Sequence, residues 1–85
     1  MQTMPTIARA WNLRFVIYPN DHRPAHVHVL GAGCECVWHL HCPKGPPKLR
    51  ENYGFKAGRL NQIERYLIAH LAEACAQWET IHGRP

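Results

Sequence analysis

His26-Val27-His28-Val29-Leu30-Gly31-Ala32-Gly33-Cys34-Glu35-Cys36-Val37-Trp38-His39-Leu40 is the stretch that decides the fold. Two runs of alternating character flank a short segment containing Gly31 and Gly33, which is the pattern of a β-hairpin. Successive side chains of a strand point to opposite faces. Val27 and Val29 therefore share one face, and His26 and His28 the other. In the second run Cys36, Trp38, Leu40 and Cys42 alternate with Glu35, Val37, His39 and His41. A register that pairs Leu30 with Glu35, His28 with Val37 and His26 with His39 puts apolar beside apolar. A slip of one residue would set His26 against Trp38 and mix the faces, which a half-buried sheet resists. The polar face then gathers His26, His28, His39, His41 and Glu35.

Upstream, Thr6-Ile7-Ala8-Arg9 and Leu13-Arg14-Phe15-Val16-Ile17-Tyr18 read as two more strands, the second rich in β-branched and aromatic residues. Pro19-Asn20-Asp21 is a turn cluster. After Cys42 no further strand is evident, and residues 43–56 read as a basic Pro/Gly-rich loop. Residues 57–82 change period: Leu60, Ile63, Leu67, Leu71, Ala74 or Cys75, and Trp78 recur at helical spacing. Gly83 and Pro85 follow as stop signals. One rod of that length would measure about 39 Å, so a break near Gly58 is expected. The expected class is α+β: a small antiparallel sheet of three or four strands with a long C-terminal helix packed on one face. It forms a single domain over residues 1–85, with the sheet in residues 1–42, the loop in 43–56 and the helical segment in 57–82. Val27, Val29, Cys36, Trp38, Leu40, Leu67, Leu71 and Trp78 are its expected core.

The chain has 85 residues, of which 46% are hydrophobic and 19% charged, a globular balance. So small a domain buries only about 60–65% of its unfolded surface, leaving room for a metal, a partner or a second copy to add stability. No apolar run approaches the roughly 18–20 residues that span a bilayer. Met1-Gln2-Thr3-Met4-Pro5 lacks the character of a secretory signal, so a cytoplasmic protein is expected, with its four cysteines as free thiols. Cys36 and Cys42 then serve as small hydrophobes on the core face. A zinc knuckle over residues 34–42 would need ligands from both faces of one strand. The net charge of +4 comes from one segment. Lys44, Lys48, Arg50, Lys56 and Arg59 outweigh Glu51 alone there, while five basic and five acidic residues balance elsewhere. Such a stretch attracts phosphates or an acidic partner, or serves only as a solvated linker. Lys44, Lys48 and Arg50 are the candidate RNA phosphate contacts.

Three of the seven histidines fall within residues 22–28. Imidazole titrates near neutrality and is the commonest metal ligand. His22, His26 and His28 could hold one transition metal such as zinc. Asp21, His22, His26, His28 and Glu35 could instead form an acid/base site without a metal, with RNA cleavage as its leading enzymatic version. The third alternative is half-exposed sheet histidines that hydrogen-bond locally.

The chain resembles domain-of-unknown-function family 4160, a group of small bacterial proteins. The resemblance rests on Met4-Pro5-Thr6-Ile7, on Phe15-Val16-Ile17-Tyr18-Pro19-Asn20-Asp21-His22, and on Pro24-Ala25-His26-Val27-His28-Val29. It continues through the Gly-rich turn, Glu35 and Trp38, to Gly54-Phe55 and Trp78. The family motif falls on Asp21, His22, Pro24, His26, His28 and Glu35. This chain departs from it at Ala25, where a second proline is usual, and at Lys56, where a serine-like helix cap is usual. The resemblance does not extend to Cys34, His39 or His41. It implies no established activity. Its implied setting is a two-gene bacterial module, toxin–antitoxin-like or of a mobile element, because members often lie beside another small gene. The expected function is RNA or partner-protein contact through the His-rich sheet face. A non-catalytic metal-binding or protein-interaction domain is the alternative. The product of the adjacent gene, RNA and a second copy of the chain are the candidate partners.

Overall fold

The computed structural model describes residues 6–85. Five antiparallel strands stand side by side in chain order: β1 (Thr6–Ala10), β2 (Leu13–Val16), β3 (His26–Gly31), β4 (Cys34–His39) and β5 (Lys48–Tyr53). Two helices follow, α1 (Ala57–Ala69) and α2 (Leu71–His82). The α+β class stands, with one strand more than the expected range and two helices in place of one. The Met4-Pro5 segment of the resemblance lies outside the described residues.

The hairpin of β3 and β4 has the register that polarity demands: His26 opposite His39, His28 opposite Val37 and Leu30 opposite Glu35. Val27, Val29, Cys36 and Trp38 accordingly join one buried cluster with Leu13, Phe15, Ile17 and Leu40. Ile63 and Leu67 of α1 and Leu71, Ala74, Cys75 and Trp78 of α2 close the same cluster from the helical side. All eight residues of the expected core are in it.

The segment expected to be a loop contains β5. Lys48-Leu49-Arg50-Glu51-Asn52-Tyr53 hides its strand character because it is an edge strand whose side chains are nearly all polar, leaving no alternation to read. Charged residues on an edge also discourage pairing with another chain. Val37 faces Glu51 and Trp38 faces Leu49, so Arg50 is the extra residue of a β-bulge. Asn52 then turns the chain into α1: its side chain accepts from the Phe55 amide at 3.1 Å and donates to the Phe55 carbonyl at 2.9 Å. Lys56 occupies the N-cap of α1 and makes no side-chain cap bond.

The helical stretch breaks at His70, not near Gly58, which lies in the first turn of α1. Length explains the need for a break. A continuous rod of about 39 Å would overhang a body whose longest dimension is 34 Å. The apolar stripe continues across the break, because Leu71, Ala74, Cys75 and Trp78 are buried in the same cluster as Ile63 and Leu67, and the His70 carbonyl opens α2 by accepting from the Ala74 amide.

Cys42 and Cys75 form a disulfide, contrary to the expectation of four free thiols. They lie 33 residues apart on the loop after β4 and on α2, so only the docking of helix on sheet brings them together. Disulfides persist in oxidising surroundings, which removes the free-thiol ground for a cytoplasmic placement. No helix among the described residues is long and apolar enough to cross a membrane. Cys36 remains a free thiol in the core, its pKa pushed up to about 11 by burial.

Trp38 is buried, and Trp38→Ala should cost roughly 3–5 kcal/mol in urea denaturation. Thiol alkylation at pH 8 should label Cys34 in the native protein, add Cys36 only on unfolding, and reach all four cysteines only after reduction. The paired Cys42→Ser and Cys75→Ser variant should lose roughly 3–4 kcal/mol by the chain-entropy estimate for its loop.

Candidate metal centre

The site begins in the turn after β2. Tyr18 ends the extended run because its amide donates to Asp21 Oδ2 at 2.9 Å, while the Asp21 amide donates back to the Tyr18 carbonyl at 3.1 Å. This double tie fixes one carboxylate oxygen of Asp21 and leaves Oδ1 facing the start of β3. His28 Nε2 lies 3.2 Å from that oxygen and His26 Nε2 lies 3.5 Å from it. One ligand atom from each of the three residues lies within 4.8 Å of the other two.

Each imidazole is oriented through its other nitrogen. His26 Nδ1 sits 2.8 Å from the Pro24 carbonyl. A carbonyl only accepts, so Nδ1 carries the hydrogen and neutral His26 presents a bare Nε2. His28 Nδ1 lies 3.2 Å from Glu35 Oε2, the residue placed on β4 by the hairpin register. A carboxylate or carbonyl behind the distal nitrogen is the usual support of a metal-bound histidine. The rings are also packed. His26 is buried, with its ring 5.4 Å from that of Trp78, and Tyr18 meets His28 edge-on at 4.9 Å.

The geometry of the group could hold a metal ion. The 3.5 Å approach of His26 Nε2 to Asp21 Oδ1 sets a bare lone pair against a carboxylate oxygen. Two acceptors face each other favourably only when a proton or a cation stands between them. A tetrahedral ion bound at about 2.0–2.1 Å spaces its donors about 3.3–3.4 Å apart. The two distances to Asp21 Oδ1, 3.2 and 3.5 Å, lie on either side of that value, and all three ligand atoms lie within 4.8 Å of one another. Two imidazoles and one carboxylate are borderline donors suited to zinc and its neighbours.

The three residues open onto a cleft of about 390 Å³ that is also lined by Asn20, His22, Arg23, Pro24, His39 and Arg50. Of the residues singled out from sequence, Asp21, His26, His28 and Glu35 are brought together. His22 is exposed at the rim of the cleft, and Asp21 stands in the three-residue group with His26 and His28 in its place. Arg50 reaches the cleft; Lys48 sits opposite His39 at the start of β5, and Lys44 lies in an exposed turn that does not line it. His41 stacks on His39 with ring centres 5.7 Å apart, and its Nδ1 is tied to the Pro46 carbonyl.

Sequence reading placed His39 on the polar face but gave it no role, and it missed Arg23. The signal for His39 was present, because the predicted register sets it directly across from His26. Burial first, then the charges of Arg50, His41, His26 and Lys48, hold the His39 pKa below the ordinary imidazole range. Its Nδ1 is buried without a hydrogen-bond partner.

A protein-family model described as Domain of unknown function (DUF4160) matches residues 12–79. No curated protein and no solved structure matches the chain.

Glu35 supplies the testable support of this centre. Glu35→Gln keeps the size of the side chain but removes the charge behind His28 Nδ1, and should weaken zinc binding about 10–100-fold. Competition titration against a chromogenic chelator measures it. Unchanged affinity would separate Glu35 from the centre.

Proposed function

Because the chain belongs to the DUF4160 family, whose description assigns no activity, we propose a function from the site itself: the protein holds one zinc-class ion at Asp21, His26 and His28. Held there by three side chains, the ion would face the cleft that the same residues line. Three protein ligands and an open position are the pattern of a zinc ion that works on a ligand, in contrast to the closed four-ligand structural site. Such an ion polarises a bound oxygen or lowers the pKa of bound water, which suits hydrolysis of an anionic substrate. Expected RNA contact within a two-gene bacterial module is the setting we propose for that chemistry. The observation that carries the proposal is the bare Nε2 of His26 aimed at Asp21 Oδ1, with His28 Nε2 closing the group.

A second reading has its own support. His28 lies between two carboxylates, Asp21 and Glu35, each 3.2 Å from one of its ring nitrogens. An imidazolium would donate to both, making a metal-free proton relay of the acid/base kind. The two readings differ in what His26 does. In the metal-free relay a proton stands between its Nε2 and Asp21 Oδ1, and in the metal centre the ion does.

Calorimetric titration of the purified, chelator-stripped protein with zinc decides between them. One ion should bind per chain, with uptake abolished in His26→Ala and in His28→Ala and retained in His22→Ala. Absence of stoichiometric uptake of zinc, copper or nickel would overturn the metal centre and leave the relay.

A further inference from the structure

Beside the three ligand residues the cleft carries a second constellation, made by Arg23, His39 and Arg50. Arg50 is the bulge residue of β5, unpaired in the ladder between Val37 and Trp38. Bulges re-aim side chains, and this one brings a guanidinium to the cleft that contains His26 and His28. Glu51 meets it at Nε, at 3.3 Å, an exposed contact that a phosphate could share. His39 adds an imidazole N–H donor. Its Nδ1 is buried and has no partner, so a hydrogen there would be stranded; the hydrogen belongs on Nε2, the ring's other nitrogen. Neither Arg23 nor Arg50 is needed to hold the three ligands together. Both lie in the same cleft, next to the half-buried His/Asp group.

We propose that this constellation seats a phosphodiester of a single-stranded nucleic acid, one phosphate oxygen directed to the metal position and others to Arg50, Arg23 and His39. The proposal deepens the metal-centre reading and rests on it for the first of those contacts. The guanidinium fork matches two phosphate oxygens at once, which a lysine ammonium does not. A chain of phosphates fits better than an isolated one because the basic residues continue along the border of the cleft. Lys48 sits across the ladder from His39, two residues before Arg50 on the same strand. A cleft of about 390 Å³ takes one nucleotide at a time, which favours a single strand over a duplex.

The test uses a fluorescent oligoribonucleotide of eight residues with 2′-O-methyl sugars, which resists cleavage, and follows anisotropy with the zinc-loaded full chain at two salt concentrations. Arg50→Gln should weaken binding about 10–100-fold, the effect of one charged hydrogen-bonding group. It should also flatten the salt slope by about 0.7 for each phosphate that the variant leaves unneutralised. His39→Leu should weaken binding about 5–10-fold. Lys44→Gln, outside the cleft, should lower affinity no more than any single surface charge, and a phosphoserine peptide of equal charge should compete poorly. Zinc titration of the same samples reports separately on the metal centre. Arg50-dependent RNA binding without zinc uptake would keep the seat and remove the metal reading. The seat is overturned if Arg50→Gln binds as tightly as the wild type, if Lys44→Gln costs as much, or if the phosphopeptide competes equally.

Discussion

The pairing of β3 with β4 in one register is the constraint on which both halves of the molecule depend. The same pairing that sets Val27 and Val29 beside Trp38 and Cys36 in the core sets His26 beside His39 and Glu35 within reach of His28. Core and site are the two faces of a single hairpin. A one-residue slip would set His26 against Trp38 and mix the two faces, losing both at once. Burial of the apolar face therefore guards the geometry of the polar one. A few kilocalories of hydrophobic packing suffice to position ligands that could not otherwise organise themselves.

The helices contribute to the site as well as to the core. Trp78 of α2 belongs to the buried cluster and also lies against the His26 ring. His82, one turn further, stacks on Trp78 at 4.2 Å, and its Nε2 donates to the Tyr18 carbonyl at 2.9 Å. Tyr18 in turn holds Asp21 through its amide. The end of α2 is thus coupled through three contacts to the carboxylate of the candidate centre. The disulfide between Cys42 and Cys75 anchors the same helix to the loop that follows His39 and His41. Loss of helix docking should therefore loosen the site even though no helical residue is a ligand.

What was legible in the sequence was whatever burial writes as a period. The hairpin register, the core residues and the helical stripe from Leu60 to Trp78 all follow from alternation or from three- and four-residue steps. Features that burial does not write were missed. The polar edge strand β5 has Leu49 as its one aliphatic side chain, so it read as a loop. The break at His70 leaves the stripe in phase and marks itself with no glycine or proline. The disulfide joins residues whose spacing says nothing until the helix is docked. In the site, the motif residues Asp21, His26, His28 and Glu35 were found, but the choice of Asp21 over His22 depends on the Tyr18 turn, which only the structure supplies. Arg23 belonged to no periodic pattern and stayed invisible.

The central claim is that His26 Nε2, His28 Nε2 and one oxygen of Asp21 converge on a metal position. Anomalous diffraction at the zinc edge from crystals grown with the zinc-loaded protein tests it most directly. The account predicts one strong peak per chain, bonded at about 2.0–2.2 Å to His26 Nε2, His28 Nε2 and Asp21 Oδ1. A peak on His22, on His39 with His41, or on the free cysteines, with the Asp21 group left unbound, would contradict it.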